Sequence, residues 1–432
     1  MKHTVSEITL KNGAKGLLIN VPDATVMTYE LNFRAGEYLV KPDKWETPHL
    51  MEHVLLGANQ KLRKARLFQA EIEKNGAYSN ASTGVYDITY EAECADFEWD
   101  RVLDLMLLAI AKPLFLEEEF TAEFGNVREE LQARSNNHFR HLSLALREYY
   151  GFMAKTDQER LDIIDNVTLD DVRRHYKRTH TTKNLRFVFA GRITDSRRAA
   201  IKAALEAIDM PEGTERFELP DEVPNRKDDP LFLHNATVKN VYFYIDSFMN
   251  RRMSDPESDA LGLVNTMLTE TLYSKILGTA REQGLVYSMS SGFGQTKLNS
   301  NWWFGAQVSR KNVGALFDII THELEDVFKG NIDAADIEAA KAYSIGRFQR
   351  SAQTVGGTAG GYSSRYFFDE SIEDYFGVPQ RIKAISKSGI VSISRDLFKD
   401  DVWGLGVLSN CPESTVKSLQ NHVRPLWDSF KD

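Results

Sequence analysis

Five consecutive residues, His49-Leu50-Met51-Glu52-His53, carry the chemistry of this chain. Read as a helix, positions i and i+4 lie one turn apart on one face, so the two imidazoles converge on a single point. Glu52, at i+3, sits beside them, close enough to polarise a water bound there. Two neutral histidines and one carboxylate, with water in an open fourth position, make a recurring catalytic zinc set. With ten histidines in 432 residues, the pattern arises by chance in roughly one or two such chains in a hundred. A third ligand therefore decides the matter. It must come from another element, because one helical turn cannot surround a metal.

Downstream, Leu116–His138 reads as one long helix without proline, after an apolar helix, Val102–Ala111, that stops at Pro113. Its carboxylate candidates are Glu123, Glu129 and Glu130. Glu123 and Glu130 are seven apart, two turns along one face, so one can bind metal while the other supports a ligand. At this point the chain resembles the pitrilysin/insulinase family of zinc peptidases, which includes the mitochondrial processing peptidases. That family carries H-x-x-E-H followed downstream by a Glu that closes an E-x(6)-E pattern, and Glu123 to Glu130 matches it. The resemblance implies one Zn2+ per chain held by His49, His53 and Glu130, with Glu123 as the supporting acid and Glu52 as the catalytic base. Glu129 is the nearest competitor to Glu130.

The likeness extends along most of the chain. Ile8–Gly13 followed by Gly16–Ile19 reads as a hairpin turning at Asn12-Gly13. The apolar alternation Val26–Phe33 ends at Ala35-Gly36, similar to the family's strand and glycine ahead of the zinc helix. Tyr78–Thr83 resembles the edge strand that pairs its backbone with bound peptide, which makes Asn80, Ala81, Ser82 and Thr83 substrate-binding candidates. Arg281 and Tyr287 resemble the family's substrate element, in which Arg engages the peptide backbone and Tyr donates to the developing oxyanion. The Arg-to-Tyr spacing is one residue shorter than in many relatives.

Four of the twelve prolines (Pro211, Pro220, Pro224, Pro230) fall among charged residues between Met210 and Pro230, a linker signature. The expected fold is α+β: two homologous domains, residues 1–210 and 231–432, each a mostly antiparallel sheet packed with helices, joined by linker 211–230. The second half replays the first with a strand at Val241–Ile245 and a helix at Pro256–Leu272. Strands then run through Val308, with helices at Val313–Phe328 and Ala334–Ser351. It lacks the chemistry: the counterpart of the zinc helix, Asp259–Asn265, holds no histidine, and alignment of Arg134-Ser135 with Arg350-Ser351 puts Gly346 opposite Glu130. Within Asp170–Arg192, which reads as a helix, a turn and a buried strand closing at Gly191, His175 and His180 lie five apart, and His138 and His141 also lie close. Basic neighbours and the lack of an acidic partner pattern make all four surface or capping histidines rather than ligands. The run Gly356–Gly361 lacks the GK[ST] ending of a phosphate loop and reads as close helix packing or a flexible joint.

No apolar run reaches a membrane span, the start shows no secretory leader, and two cysteines cannot form a disulfide framework. A cytoplasmic location is expected. Fifty-three Lys+Arg against 62 Asp+Glu, net −9 without basic blocks, argues against nucleic acid and for neutral or basic peptides. The family encloses substrates in a chamber of four homologous domains. Two per chain therefore imply a homodimer with zinc from one subunit and Tyr287 from the other; a heterodimer with a paralogue is the variant arrangement. The activity expected is zinc-dependent endopeptidase action on unfolded oligopeptides. The competing readings are a non-catalytic partner or structural subunit and, less in keeping with Glu52, a two-histidine iron oxygenase.

Overall fold

A computed structural model describes residues 1–430. Strands are β1 (Thr4–Thr9), β2 (Lys15–Asn20), β3 (Val26–Phe33), β4 (Tyr78–Thr83), β5 (Ile88–Ala95), β6 (Leu185–Gly191), β7 (Leu231–His234), β8 (Asn240–Met249), β9 (Met289–Gln295), β10 (Ser300–Ser309) and β11 (Val402–Ser409). Helices in the first half are α1 (Thr47–Leu55), α2 (Ala65–Glu73), α3 (Trp99–Ala111), α4 (Glu117–Ser135), α5 (His138–Tyr149), α6 (Asp157–Ile163), α7 (Leu169–Thr179) and α8 (Asp195–Glu206). Those of the second half are α9 (Asp255–Asn265), α10 (Lys275–Glu282), α11 (Val313–Lys329), α12 (Ala334–Ser351), α13 (Val355–Asp369), α14 (Val378–Ala384), α15 (Lys387–Lys399) and α16 (Glu413–Val423).

The expected α+β repeat is present. One sheet runs β1-β2-β6-β3-β5-β4 and the other β7-β11-β8-β10-β9. Apart from the extra β1, the two follow the same succession. In each, the last strand of the half pairs in parallel with the first, β6 with β2 and β11 with β7, and the other pairings are antiparallel. The physical origin is legible locally. Strand β6, buried at every position, sits mid-sheet, whereas β4 alternates exposed and half-buried residues at the edge.

Residues gather into two compact units, and neither is contiguous. One comprises 1–132, 158–219 and 349–375; the other comprises 133–157, 220–348 and 376–432. The chain does pass between units inside 211–230, but the expected cut into 1–210 and 231–432 overlooks two exchanged segments. The cause of the first exchange lies in the sequence. The single helix expected over Leu116–His138 breaks after Ser135, because Asn137 caps a new helix by accepting from Arg140 N at 3.0 Å. Helix α5 then buries Leu142 and Leu146 with Tyr244, Phe248 and Leu408 of the second unit's sheet. Reciprocally, α13 packs against β6 and β3 of the first unit. Its carboxyl end is gripped by buried arginines: Arg34 donates to Phe368 O at 2.7 Å, and Arg216 to Phe367 O at 2.7 Å. Arg186 pairs with Glu370 at 2.7 Å. Cations suit a helix C-terminus, where carbonyls lack partners. Arg216 belongs to the stretch read as a linker, which is pinned rather than loose. The Gly356–Gly361 run forms the first turns of α13, where a Cβ on Gly361 would meet the Tyr375 ring at 2.3 Å. Close packing is therefore the reason for Gly361, and likewise for Gly357 against Ser351 O.

Two departures are local. The helix expected over Pro256–Leu272 gives way after Asn265 to a π-turn over Thr266–Glu270. His175 and His180, expected as surface or capping groups, are core residues, 4% and 0% exposed, although His180 does cap the C-terminus of α7, its N–H donating to Tyr176 O. For His175 the cause is the strong amphipathic pattern of α7, whose inner face carries Val172, His175 and Thr179. His175 Nε2 donates to Ala35 O at 2.7 Å, and His180 stacks on Phe33 at 4.3 Å beside the Tyr90 hydroxyl. Burial pushes the His175 pKa down to about 4. The neutral ring is native, whereas the unfolded chain takes a proton near pH 6.5, so the contribution is complete above about pH 6.5 and is lost as pH falls toward about 4. The span corresponds to about 3 kcal/mol. Urea midpoints measured from about pH 7.5 down to about pH 5 should fall less steeply in His175→Gln than in the wild type; parallel slopes would refute this assignment.

Among the described residues no helix is long and apolar enough to cross a membrane.

Candidate active site

Helix α1 positions the pentapeptide by its own periodicity. Pro48 occupies the first turn, where a missing N–H costs nothing. Leu50, Met51, Val54 and Leu55 are buried in the core of the first unit, which leaves His49, Glu52 and His53 on an adjoining stripe. Helix α4 meets them with the same logic. Phe120, Val127 and Leu131 anchor it in the core, and Glu123 and Glu130 flank that seam.

The nitrogens converge. His49 Nε2 and His53 Nε2 lie 3.3 and 3.5 Å from one oxygen, Glu130 Oε2. Each ring is held from behind by a different carboxylate: His53 Nδ1 is 3.0 Å from Glu123 Oε2, and His49 Nδ1 is 3.0 Å from Glu46 Oε2. Ligand atoms of His49, Glu52 and His53 lie within 4.8 Å of one another, the one such trio among the described residues. Glu129 is exposed on α4. The donor set, two imidazole nitrogens and a carboxylate oxygen facing one point, is the N/O set that zinc takes, so these residues fit that ion.

The local field is strongly shaped. Burial would lower the His49 pKa, but hydrogen bonds to Glu130 and Glu46 outweigh it and raise it to about 9. Glu46, pushed up by burial, is nonetheless held at about 2 by His49 and Arg160. The hydrogen bond to His53 lowers Glu123, and burial raises Glu52. Thr83 Oγ1 donates to Glu52 Oε2 at 3.4 Å, which ties Glu52 to strand β4. That strand is the sheet edge. Asn80, Ala81, Ser82 and Thr83 pair with Glu91, Tyr90, Thr89 and Ile88 of β5, and no strand among the described residues pairs their other side.

The first unit thus brings together His49, Glu52, His53, Glu123, Glu130 and the edge strand. Arg281 and Tyr287 lie in the second unit. There they engage each other: the guanidinium sits 4.7 Å from the Tyr287 ring centroid and donates to the Tyr287 carbonyl. Tyr287 is 81% exposed. Sequence reasoning missed Glu46 and Arg160. Glu46 sits three residues before His49, a spacing that could have flagged it; Arg160, 111 residues beyond His49, carries no local signal.

Comparison with known proteins bears on the family and the fold. Residues 17–155 match the family profile described as "Insulinase (Peptidase family M16)", and residues 166–343 match "Peptidase M16 inactive domain". A comparison with curated proteins finds no match. Among solved structures, the chain is similar to a protease from Helicobacter pylori, at 20% identity over 94% of this chain and 100% of that one, TM-score 0.83. It is also similar to a protein described as a peptidase M16 inactive domain from Pseudomonas fluorescens, at 15% identity over 95% and 98%, TM-score 0.83. A chain of Complex III2 from Candida albicans with Inz-5 bound matches at 14% identity over 97% and 100%, TM-score 0.79. At these identities the likeness is one of fold.

Proposed function

This chain belongs to the insulinase-type peptidase family M16, and on that premise we propose that it is a zinc-dependent endopeptidase that hydrolyses unfolded oligopeptides. The observation that carries the reading is the convergence of His49 Nε2 and His53 Nε2 on Glu130 Oε2. In this reading His49, His53 and Glu130 hold one Zn2+, which when bound supplies Lewis-acid polarisation and a more acidic water. Glu52 takes a proton from the attacking water at its carboxylate oxygen and returns it to the leaving amine nitrogen, so that water adds across the peptide bond. Thr83 keeps Glu52 oriented. The free edge of β4, at Asn80–Thr83, holds the substrate as an added strand whatever its side chains.

Tyr287 donates to the oxyanion, and Arg281 engages the peptide backbone. We assign these two to a second copy of the chain, so that a homodimer encloses the substrate; pairing with a paralogue would serve equally. The net charge of −9 favours neutral or basic peptides, and a cytoplasmic setting completes the reading.

The alternative, a non-catalytic partner or structural subunit, draws on the "inactive domain" description that matches residues 166–343. Metal content and a quenched-peptide assay on one preparation separate the two. About one zinc per chain is expected, with cleavage abolished by a chelator and restored by added Zn2+. Stoichiometric zinc without cleavage of any unfolded peptide would favour the alternative.

A further inference from the structure

Resting on the zinc-site reading above, we propose that Glu46 and Arg160 are positioning residues that fix the ring of His49 for metal binding. Glu46 is wholly buried. An isolated carboxylate there would be costly, and Arg160 offsets it with two donors, Nε to Oε1 and a terminal nitrogen to Oε2 at 2.9 Å. Glu46 also stands at the N-terminus of α1, where backbone N–H groups favour negative charge.

The arrangement leaves Glu46 Oε2 aimed at His49 Nδ1, 3.0 Å away. Accepting the Nδ1 proton sets the tautomer, since the lone pair then lies on Nε2, the atom that faces Glu130. It also stops rotation of the ring about its own axis. Glu123 does the same for His53 from α4. Both histidines are therefore clamped from behind, but by different devices: a partly exposed glutamate for His53, and for His49 a buried ion pair reaching from α6. The second device is a rigid one, because the guanidinium fork fixes the carboxylate plane.

The test measures zinc affinity of the full-length protein by competition with a chromophoric chelator, with melting temperature and the visible spectrum of the Co2+-loaded protein alongside. The double variant Glu46→Leu/Arg160→Met replaces the pair with apolar side chains of similar bulk, an exchange that buried ion pairs often tolerate. It is expected to fold, to bind zinc about 10- to 100-fold more weakly, and to show an altered Co2+ spectrum. Glu46→Gln keeps an acceptor for Nδ1 and should lose only about 3- to 10-fold. A purely structural pair would lower the melting temperature and leave affinity and spectrum alone, which overturns the inference. If the double variant does not fold, Glu46→Gln decides: unchanged affinity and an unchanged spectrum overturn it. Failure of the wild type to take up zinc, with His49→Ala behaving identically, would instead sink the zinc-site reading, and this inference with it.

Discussion

Glu52→Gln is expected to keep its fold and its zinc while peptide hydrolysis falls about 10²- to 10⁴-fold, the usual contribution of a positioned proton-transfer group. The substitution is nearly isosteric, and the amide oxygen can still accept from Thr83. Burial already disfavours the Glu52 charge, as its raised pKa shows, so removing that charge should not lower stability. What disappears is the ability to take a proton from water and hand it to the leaving nitrogen. His49, Glu130 and His53 are untouched, so metal content should equal that of the wild type. Turnover of a quenched peptide near the wild-type rate, in a preparation free of contaminating protease, would refute the role of Glu52. Loss of zinc together with activity would show that Glu52 acts on the metal rather than on the proton.

Mixing two inactive variants should restore cleavage. Tyr287→Phe removes the hydroxyl proposed to stabilise the oxyanion, which costs about 10²- to 10³-fold for one such donor. If each site takes its zinc from one subunit and Tyr287 from the other, a Glu52→Gln subunit paired with a Tyr287→Phe subunit has one intact site and one doubly damaged site. Random exchange of equal amounts makes about half the dimers mixed, so about a quarter of wild-type activity is expected. Pure preparations of either variant stay near background. The effect depends on geometry alone, which makes it sensitive to the dimer hypothesis and indifferent to substrate identity. Tyr287 is well suited to such a role, being 81% exposed on its own unit. No recovery after verified subunit exchange would place Tyr287 and Glu52 of the same chain in one site.

Much of the fold was legible. The strand Val26–Phe33 and the helix Ala334–Ser351 have the predicted bounds, because in both the apolar period and its end signals are local. The degenerate repeat was visible as well, and apart from β1 the two sheets share one strand order. The misreadings have a common cause. Asn137 looked like part of a helix tail, because its capping role depends on the chain turning there. His175 and His180 read as surface or capping groups beside Arg and Lys; the period of α7 turns His175 inward to Ala35 O, and His180, the cap of that helix, is buried against the Tyr90 hydroxyl.

At the site the division is sharper. Sequence alone determined that His49, Glu52 and His53 share a stripe, since 3.6 residues per turn leaves no other arrangement in a helix. It also narrowed the carboxylates on α4 to Glu123, Glu129 and Glu130. Only the tertiary structure turned Glu130 toward both Nε2 atoms and left Glu129 exposed, because the choice depends on which face of α4 the core residues Phe120, Val127 and Leu131 hold inward. Only it, too, carried Arg160 to Glu46 across 114 residues of chain and exchanged α5 and α13 between the units. Spacing along a helix is fixed by backbone hydrogen bonds that each residue makes within its own turn; partners from distant segments are chosen by burial, which belongs to the whole fold.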